Sequence, residues 1–500
     1  MIRRWPDAWS GLLLLSRREL TILVLVFAAS LPAVTARLYS SDEVQYFSYL
    51  RSLWFDHDVS FENEYQYFYD HHIAQSADFH RTFLEMREPT GRRINYATMG
   101  CAVLWSPFYG AADVVARALR ASGRDVATDG YSRLYVSAVA YGSAFYAFAA
   151  ILLAIGAARR IIGTQALSSG LAVWAGTPLL FYMYIAPPFS HANSAFAVAL
   201  FVTVWLRVRR TWSITGAIAL GLSGALMAMV REQDLFFVAG PAVDFLIAFA
   251  FPPRPETTHR LPLARTGVAG TAAFALGYLP QLAAYNALNG RPFPSSLVAR
   301  KMSWSAPHAL QVLASPEHGF FFWTPLAVLS IAGLVVLSIR APRAPRGTSD
   351  GGSNHARCVG TSGATALLDG DGRRIGGCLL LMAALQVYVS GAVESWTVAG
   401  AFGQRRFVAL TILLVVGLAA LQAAVVVRAG RIGLRIAIAL CLWWNIAVMA
   451  EFGTLMMDRQ RLEWRRNAYD AFITLPRTAP GLVYRYFTHR ASFYATDKPR

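Results

Sequence analysis

The sequence predicts an all-α polytopic membrane protein with about 11 transmembrane helices, and three observations carry that reading. Of the 500 residues 55% are hydrophobic and only 15% charged, whereas a soluble domain carries about a quarter, and the mean hydropathy is +0.39. Apolar runs of about 20 residues, the length that crosses a bilayer as a helix, recur along the chain. The formal charge of +17 is almost all arginine, Lys301 and Lys498 being the only lysines, and it clusters between those runs. An aromatic content of 13% with 38 glycines excludes a disordered chain. Cys101, Cys358, Cys378 and Cys441 lack CxxC spacing, so neither a zinc site nor a disulfide framework is expected.

Taken in order, the spans are expected at 19–37, 132–158, 165–185, 191–207, 213–230, 235–251, 266–286, 320–339, 375–392, 407–427 and 433–452. Arg3, Arg4, Arg17 and Arg18 precede the first of these. It ends in Val34-Thr35-Ala36, which resembles a signal-peptidase site, but with many spans downstream an uncleaved first helix is expected. The apolar stretch 96–118 decides the topology, because a crossing there reverses every later loop. If it does not cross, 21 arginines fall on short inner segments. The short outer loops then hold only Arg231, Arg291, Arg300, Lys301, Arg405 and Arg406. A crossing instead puts the later inner arginines outside, against the positive-inside rule. The stretch is therefore read as an outer juxtamembrane or re-entrant segment, broken at Ser106-Pro107, where proline removes a backbone donor.

This gives a transmembrane unit over 1–452, with a long outer loop 37–131 carrying juxtamembrane helices and a Gly/Ser-rich flexible cytoplasmic loop 340–374. An outer-face amphipathic tail follows over 453–500. Within the spans Asp244 stands as an isolated charge. No nucleotide-binding Gly-rich motif is present, and the positive charge orients helices rather than marking a nucleic-acid partner. His71, His72, Asp78 and His80 match no standard metal spacing, so neither a metal nor a cofactor is expected.

The first outer loop concentrates unusual chemistry: Ser40-Ser41-Asp42-Glu43, then Trp54-Phe55-Asp56-His57-Asp58, then Glu62-Asn63-Glu64. Val44, Phe47, Leu50 and Trp54 recur at helical spacing and predict an amphipathic helix over 42–55. Ser40 with Glu43 fits a capping box, and Asp42 in the first turn complements the helix dipole. The same placement beside a membrane also suits a catalytic carboxylate, so Asp42 and Glu43 carry both readings.

An Asp-Glu pair just after the first transmembrane helix, heading a large outer loop, resembles the GT-C glycosyltransferases, which include protein O-mannosyltransferases and bacterial lipid A aminoarabinose transferases. Ser395-Trp396-Thr397-Val398-Ala399-Gly400-Ala401-Phe402-Gly403-Gln404-Arg405-Arg406-Phe407 is similar to the Phe-Gly-x-Arg-Arg outer-loop segment of bacterial members. Pro187-Pro188-Phe189-Ser190-His191-Ala192-Asn193 and Ser315-Pro316-Glu317-His318-Gly319-Phe320 also resemble segments of such chains. Loop 287–319 is too short for the folded insert of the eukaryotic mannosyltransferases, and the tail is too short for the soluble domain of arabinosyl- or oligosaccharyltransferases.

The resemblance implies a glycosyltransferase that moves a sugar from a polyprenyl-phosphate donor to a hydroxyl on a glycan, lipid or protein acceptor, by inverting single displacement. The implied location is a bacterial inner membrane, with the site facing outside. Asp42 is then the candidate base and Glu43 an orienting or capping group. Arg405 and Arg406 are candidates for the donor phosphate, since arginine offers a planar fork to phosphate, or else they snorkel to lipid headgroups. Glu64, His191, Arg231, Glu317, His318 and Glu394 are candidate acceptor-side or lining residues. The plainer readings are a self-neutralised cluster for Arg231-Glu232-Gln233-Asp234, a helix-end polar residue for His191 and an interfacial turn for Glu317-His318. A lipid-linked glycan flippase or transporter, or a glycan polymerase or ligase, is the alternative function.

Overall fold

A computed structural model describes residues 15–251, 260–339, 369–398 and 400–493. Arg3, Arg4, most of the connector 340–374 and the last residues of the tail lie outside the described residues. The helices that frame the site run in the order α1 (Arg17–Ser30), α2 (Ser41–Arg51), α3 (Glu62–Asp70), α4 (Gly100–Ala121), α5 (Arg133–Ile162), α6 (Ala166–Ala175), α7 (Leu179–Tyr184) and α8 (Ser190–Val208). They continue with α9 (Ile214–Val230), α10 (Ala239–Ala250), α11 (Arg260–Asn289), α12 (Leu326–Ile339), α13 (Asp369–Ala392), α14 (Thr411–Ala424), α15 (Arg428–Gly453) and α16 (Leu475–Thr488). Among the described residues the only β pairings are two isolated bridges, Arg87 with Arg93 and Met302 with Val393.

Six described segments are long and apolar enough to cross a membrane: 133–162, 190–208, 232–250, 371–392, 405–424 and 428–453. α6, α9 and α12 are shorter apolar helices. Two expected spans are interrupted. Residues 165–185 divide into α6 and α7 around Gly176-Thr177-Pro178, and 320–339 breaks at Thr324-Pro325 ahead of α12. In both places proline cannot donate to the preceding turn and disfavours helical backbone in the residue before it. The outer surface of the bundle is lipid-like: Leu25, Val268 and Leu276 are 62%, 70% and 66% exposed. The chain is an integral membrane protein, its lateral faces greasy where water leaves polar groups.

α4 corrects the expected break at Ser106-Pro107, because the helix runs unbroken through Pro107. The carbonyl that proline leaves without its usual donor is that of Val103, and the Ser106 hydroxyl donates to it at 2.8 Å. α4 begins beside the end of α9, where the Thr98 hydroxyl donates to the Val230 carbonyl at 3.0 Å. From there it runs antiparallel along the first half of α5. The Trp105 indole bonds Ser143 at 2.8 Å, and the Tyr135 hydroxyl bonds Asp113 at 2.7 Å.

Helix ends that the arginine distribution assigns to one side do meet each other. Arg159 at the end of α5 pairs with Glu19 of α1 at 2.7 Å. Asp244 of α10 is not isolated: it takes Arg209 from the end of α8 at 2.8 Å and Arg374 from the start of α13 at 2.7 Å, with the Trp205 indole at 2.9 Å. The partners come from distant spans, so sequence adjacency does not reveal them. At its start each of α1 and α2 carries a capping box, Ser16 with Glu19 and Ser40 with Glu43.

Small residues let helices close on one another. A Cβ on Gly417 of α14 would lie 2.1 Å from the Ser330 carbonyl oxygen of α12, and one on Gly333 would lie 1.8 Å from the Gly417 oxygen. Gly417→Val is expected to destabilise the protein by roughly 2 kcal/mol or more through overpacking. Gly433→Ala, inside a helix and with nothing within 4 Å of the added atom, is expected to hold or slightly raise the melting temperature in detergent, since alanine favours the helix over glycine. Thermal melts of both variants against the parent check this.

Candidate active site

The site is built where the start of α2 meets the turn Arg405–Leu410 that leads into α14. Ser40 caps α2, and the Glu43 carboxylate reaches back to accept from the Tyr39 N–H at 2.8 Å and the Ser40 N–H at 3.1 Å. Glu43 is sealed from solvent and its second carboxylate oxygen has no hydrogen-bond partner. Asp42, about 100° around the same helix, points elsewhere, and its carboxylate meets the Arg405 guanidinium at 2.8 Å. Their side chains are 39% and 22% exposed, so the pair is reachable from outside the protein. The adjacent acids thus part ways: Glu43 holds the helix start and Asp42 faces the cleft.

Arg405 rests over the Phe189 ring, 5.4 Å from its centroid, and the same ring stacks on His191 at 5.7 Å. His191 is buried, packed edge-on against Tyr182 at 4.6 Å, and its Nδ1 accepts from the Arg231 guanidinium. Arg231 also donates to Gln233 at 2.9 Å. The segment 231–234 is self-neutralised only in part: Asp234 feels the charge of Arg231, while the hydrogen bonds of its acids go to other helices. Tyr285 donates to Glu232, and Ser194 donates to Asp234 at 2.6 Å, because each acid faces a different helix. Arg406 is buried and donates to the Ser395 carbonyl and hydroxyl at 3.0 and 3.1 Å. Arg231, Arg405 and Arg406 lie close enough to act electrostatically on His191, and the carboxylates beside them are Asp42, paired with Arg405, and buried Asp234, which feels the charge of Arg231. The cleft has a surplus of positive charge.

The irregular segment before Arg405 sets its position. Phe402 is buried among Phe181 at 4.8 Å, Phe452 at 5.5 Å and Trp323 at 5.9 Å. Gly403 has φ +57° and sits where a Cβ would come 2.9 Å from Pro178, so both backbone and space require glycine. Val398 is held at φ +46°, a conformation costly for a β-branched residue. His318 braces this segment from below: its Nε2 donates to the Ala401 carbonyl at 2.8 Å, and its ring stacks on Trp323 at 4.6 Å. Burial holds its imidazole down to about 4, so it stays neutral near pH 7 and acts as a strut.

The remaining candidates lie apart. Among the described residues Glu64, Glu317 and Glu394 make no contact with Asp42, Arg405 or His191. Glu64 is buried against Arg51 at 3.0 Å, nine residues along α2 from Asp42, about 13 Å at 1.5 Å per residue. Glu317 and Glu394 are exposed. Sequence reasoning missed Arg37, Tyr39 and Arg459, which line a cavity of about 960 Å³ whose walls are otherwise mainly apolar side chains such as Val26, Leu442 and Ile446. Tyr39 connects the cavity to the charged cleft, since its ring meets Phe189 edge-on at 6.3 Å. The available signal was Arg37 directly after the first span; Arg459, inside the tail, carried none.

No protein-family model matches the chain, and no curated protein matches it. Among solved structures, it is similar to the crystal structure of ArnT from Cupriavidus metallidurans bound to undecaprenyl phosphate. That likeness has 14% sequence identity and a TM-score of 0.45, covering 97% of this chain and 79% of the other.

Burial pushes the Glu43 carboxyl up to about 8 from an ordinary 4.5, against the downward pull of the Tyr39 and Ser40 N–H groups. Between those values the folded chain holds a proton that the unfolded chain has lost, so this group's contribution to stability falls as pH rises through the window. Glu43→Gln keeps an oxygen for the cap and removes the titration. Its melting temperature relative to the parent is expected to climb steadily as pH rises from about 4.5 to about 8, as read by thermal melts across pH.

Proposed function

We propose that this protein is a GT-C-type glycosyltransferase that moves a sugar from a polyprenyl-phosphate donor to an acceptor hydroxyl on the outer face of a bacterial inner membrane. The observation that carries the reading is the reachable Asp42–Arg405 pair, at 2.8 Å, linked through Phe189 and Tyr39 to a largely apolar cavity of about 960 Å³ that also contains Arg37 and Arg459. An apolar chain suits the cavity. A phosphate at its charged end suits guanidinium forks.

In the reaction the acceptor oxygen attacks the anomeric carbon, a new carbon–oxygen bond forms and the bond from that carbon to the phosphate oxygen breaks. Asp42 takes the acceptor's proton, as a general base must from within hydrogen-bond reach. The departing prenyl phosphate gains one negative charge, which Arg405 stabilises most directly because Arg406 is largely committed to Ser395; such preorganised charge acts on the transition state. A single displacement inverts the sugar carbon. Glu43 secures the helix start from which Asp42 projects, and the acceptor is a glycan, a lipid or a protein.

Asp42→Asn is expected to lower transfer by about 10²- to 10⁴-fold, the range for loss of a general base, and Arg405→Ala to lower it by a similar order through the phosphate. The measurement is transfer from radiolabelled prenyl-phosphate sugars by purified protein in lipid vesicles. Transfer at the parental rate by Asp42→Asn removes the base assignment, and translocation of the labelled lipid without transfer replaces the enzyme by a flippase.

A further inference from the structure

The inference that follows rests on the glycosyltransferase reading and concerns the regulation of the same site. Asp42 has to be available for a proton and Arg405 for a phosphate, yet each is paired with the other at 2.8 Å. A carboxylate oxygen held by a guanidinium at that distance is not open to an acceptor hydroxyl, which a general base must meet within hydrogen-bond reach. The three arginines of the cleft are also not equivalent. Arg231 is tied to His191 and Gln233, and Arg406 is tied to both oxygens of Ser395. Apart from Asp42, the contact recorded for the Arg405 guanidinium is the face of Phe189, a surface over which a planar cation slides without losing a directed bond. Arg405 is the cation free to change partner.

We propose that the Asp42–Arg405 ion pair is a latch opened by the donor's phosphate: Arg405 turns from the carboxylate to the phosphate, and the carboxylate so released becomes the base. The donor therefore binds before the acceptor is activated, and the empty enzyme keeps its base engaged. Charge is conserved through the step. Before transfer the donor diester and Asp42 each carry one negative charge. Afterwards the prenyl phosphate carries two and protonated Asp42 none, so Arg405 stays with the phosphate. When Asp42 returns its proton to water, the carboxylate competes again for Arg405 and assists product release.

The test uses the full-length protein in detergent, titrated calorimetrically with farnesyl phosphate and, separately, with inorganic phosphate. Neither titration needs the acceptor. If the latch holds, Asp42→Asn and Asp42→Ala, both checked for an unchanged thermal melt, bind each phosphate about fivefold more tightly than the parent, the size of a partly exposed ion pair. Arg405→Ala binds each more weakly. Parental or weaker binding in the Asp42 variants, with binding still lost in Arg405→Ala, overturns the latch and leaves the phosphate site standing. A gain confined to farnesyl phosphate also overturns the latch, since it then arises from the chain. Parental protein that binds neither phosphate, or binding indifferent to Arg405, overturns both the latch and the donor-phosphate reading.

Discussion

A charge withdrawn from water into an apolar bundle has to meet a counter-charge within hydrogen-bonding reach, since leaving it unpaired costs several kcal/mol. Both ends of this molecule are arranged around that requirement. At one end the buried Asp244 draws together α8, α10 and α13 through Arg209 and Arg374, so those helices cannot slide past one another without stranding a charge. At the other end Asp42 fastens the start of α2 to the entry of α14 through Arg405. The first match is closed and buried, which suits a structural clasp. The second is open to outside and sits among further guanidiniums, which suits a site that receives an anion.

The backbone before Arg405 shows how the open match is held in place. Phe402 fills an aromatic box built from α7, α15 and Trp323, and His318 and Tyr182 bond the carbonyls of Ala401 and Phe402. Such a frame can hold Val398 and Gly403 at positive φ because the packing on every side leaves no lower-energy alternative nearby. A site fixed this way holds its backbone still beneath the Arg405 side chain, which rests on its aromatic plate beside Asp42, and charge held in place is what preorganised electrostatics needs.

The cavity gives the charged cleft its context. Its walls come from α1, α6, α7, α15 and α16, and Tyr39 and Phe189 form the aromatic step between it and Arg405. α16 is tied to the segment just after α1 by the Tyr486 hydroxyl, which donates to the Ala33 carbonyl at 2.7 Å, and by Arg490 in the following turn, which donates to the Val34 and Pro32 carbonyls at 2.7 and 2.6 Å. The chain's last described helix therefore walls a space that begins at its first, and the residues beside the cleft are gathered from nearly its whole length.

Much of this was legible in local sequence. Three- and four-residue spacing marked the capping box at Ser40 and Glu43 and the buried stripe of Val44, Phe47 and Leu50, because one helical turn determines those contacts, whereas Trp54, expected in the same stripe, lies past the end of α2 and is 37% exposed. Composition identified a polytopic helical membrane protein, although six of the described segments, against about eleven expected, are long and apolar enough to cross, and the distribution of arginine grouped helix ends that do meet. It also singled out Arg405 and Arg406 as the outward remainder. What local pattern could not supply was the identity of partners. Pro107 reads as a break until Ser106 is seen to satisfy Val103; Asp244 reads as alone until α8 and α13 arrive; Glu232 reads as a partner of Arg231 until Tyr285 claims it. The sequence alone thus determined which residues carry charge and which helix starts present them. Only the tertiary structure decided that Asp42 meets Arg405 while Glu43 turns inward, because pairing across hundreds of residues is set by how the helices pack rather than by what lies beside each residue in the chain.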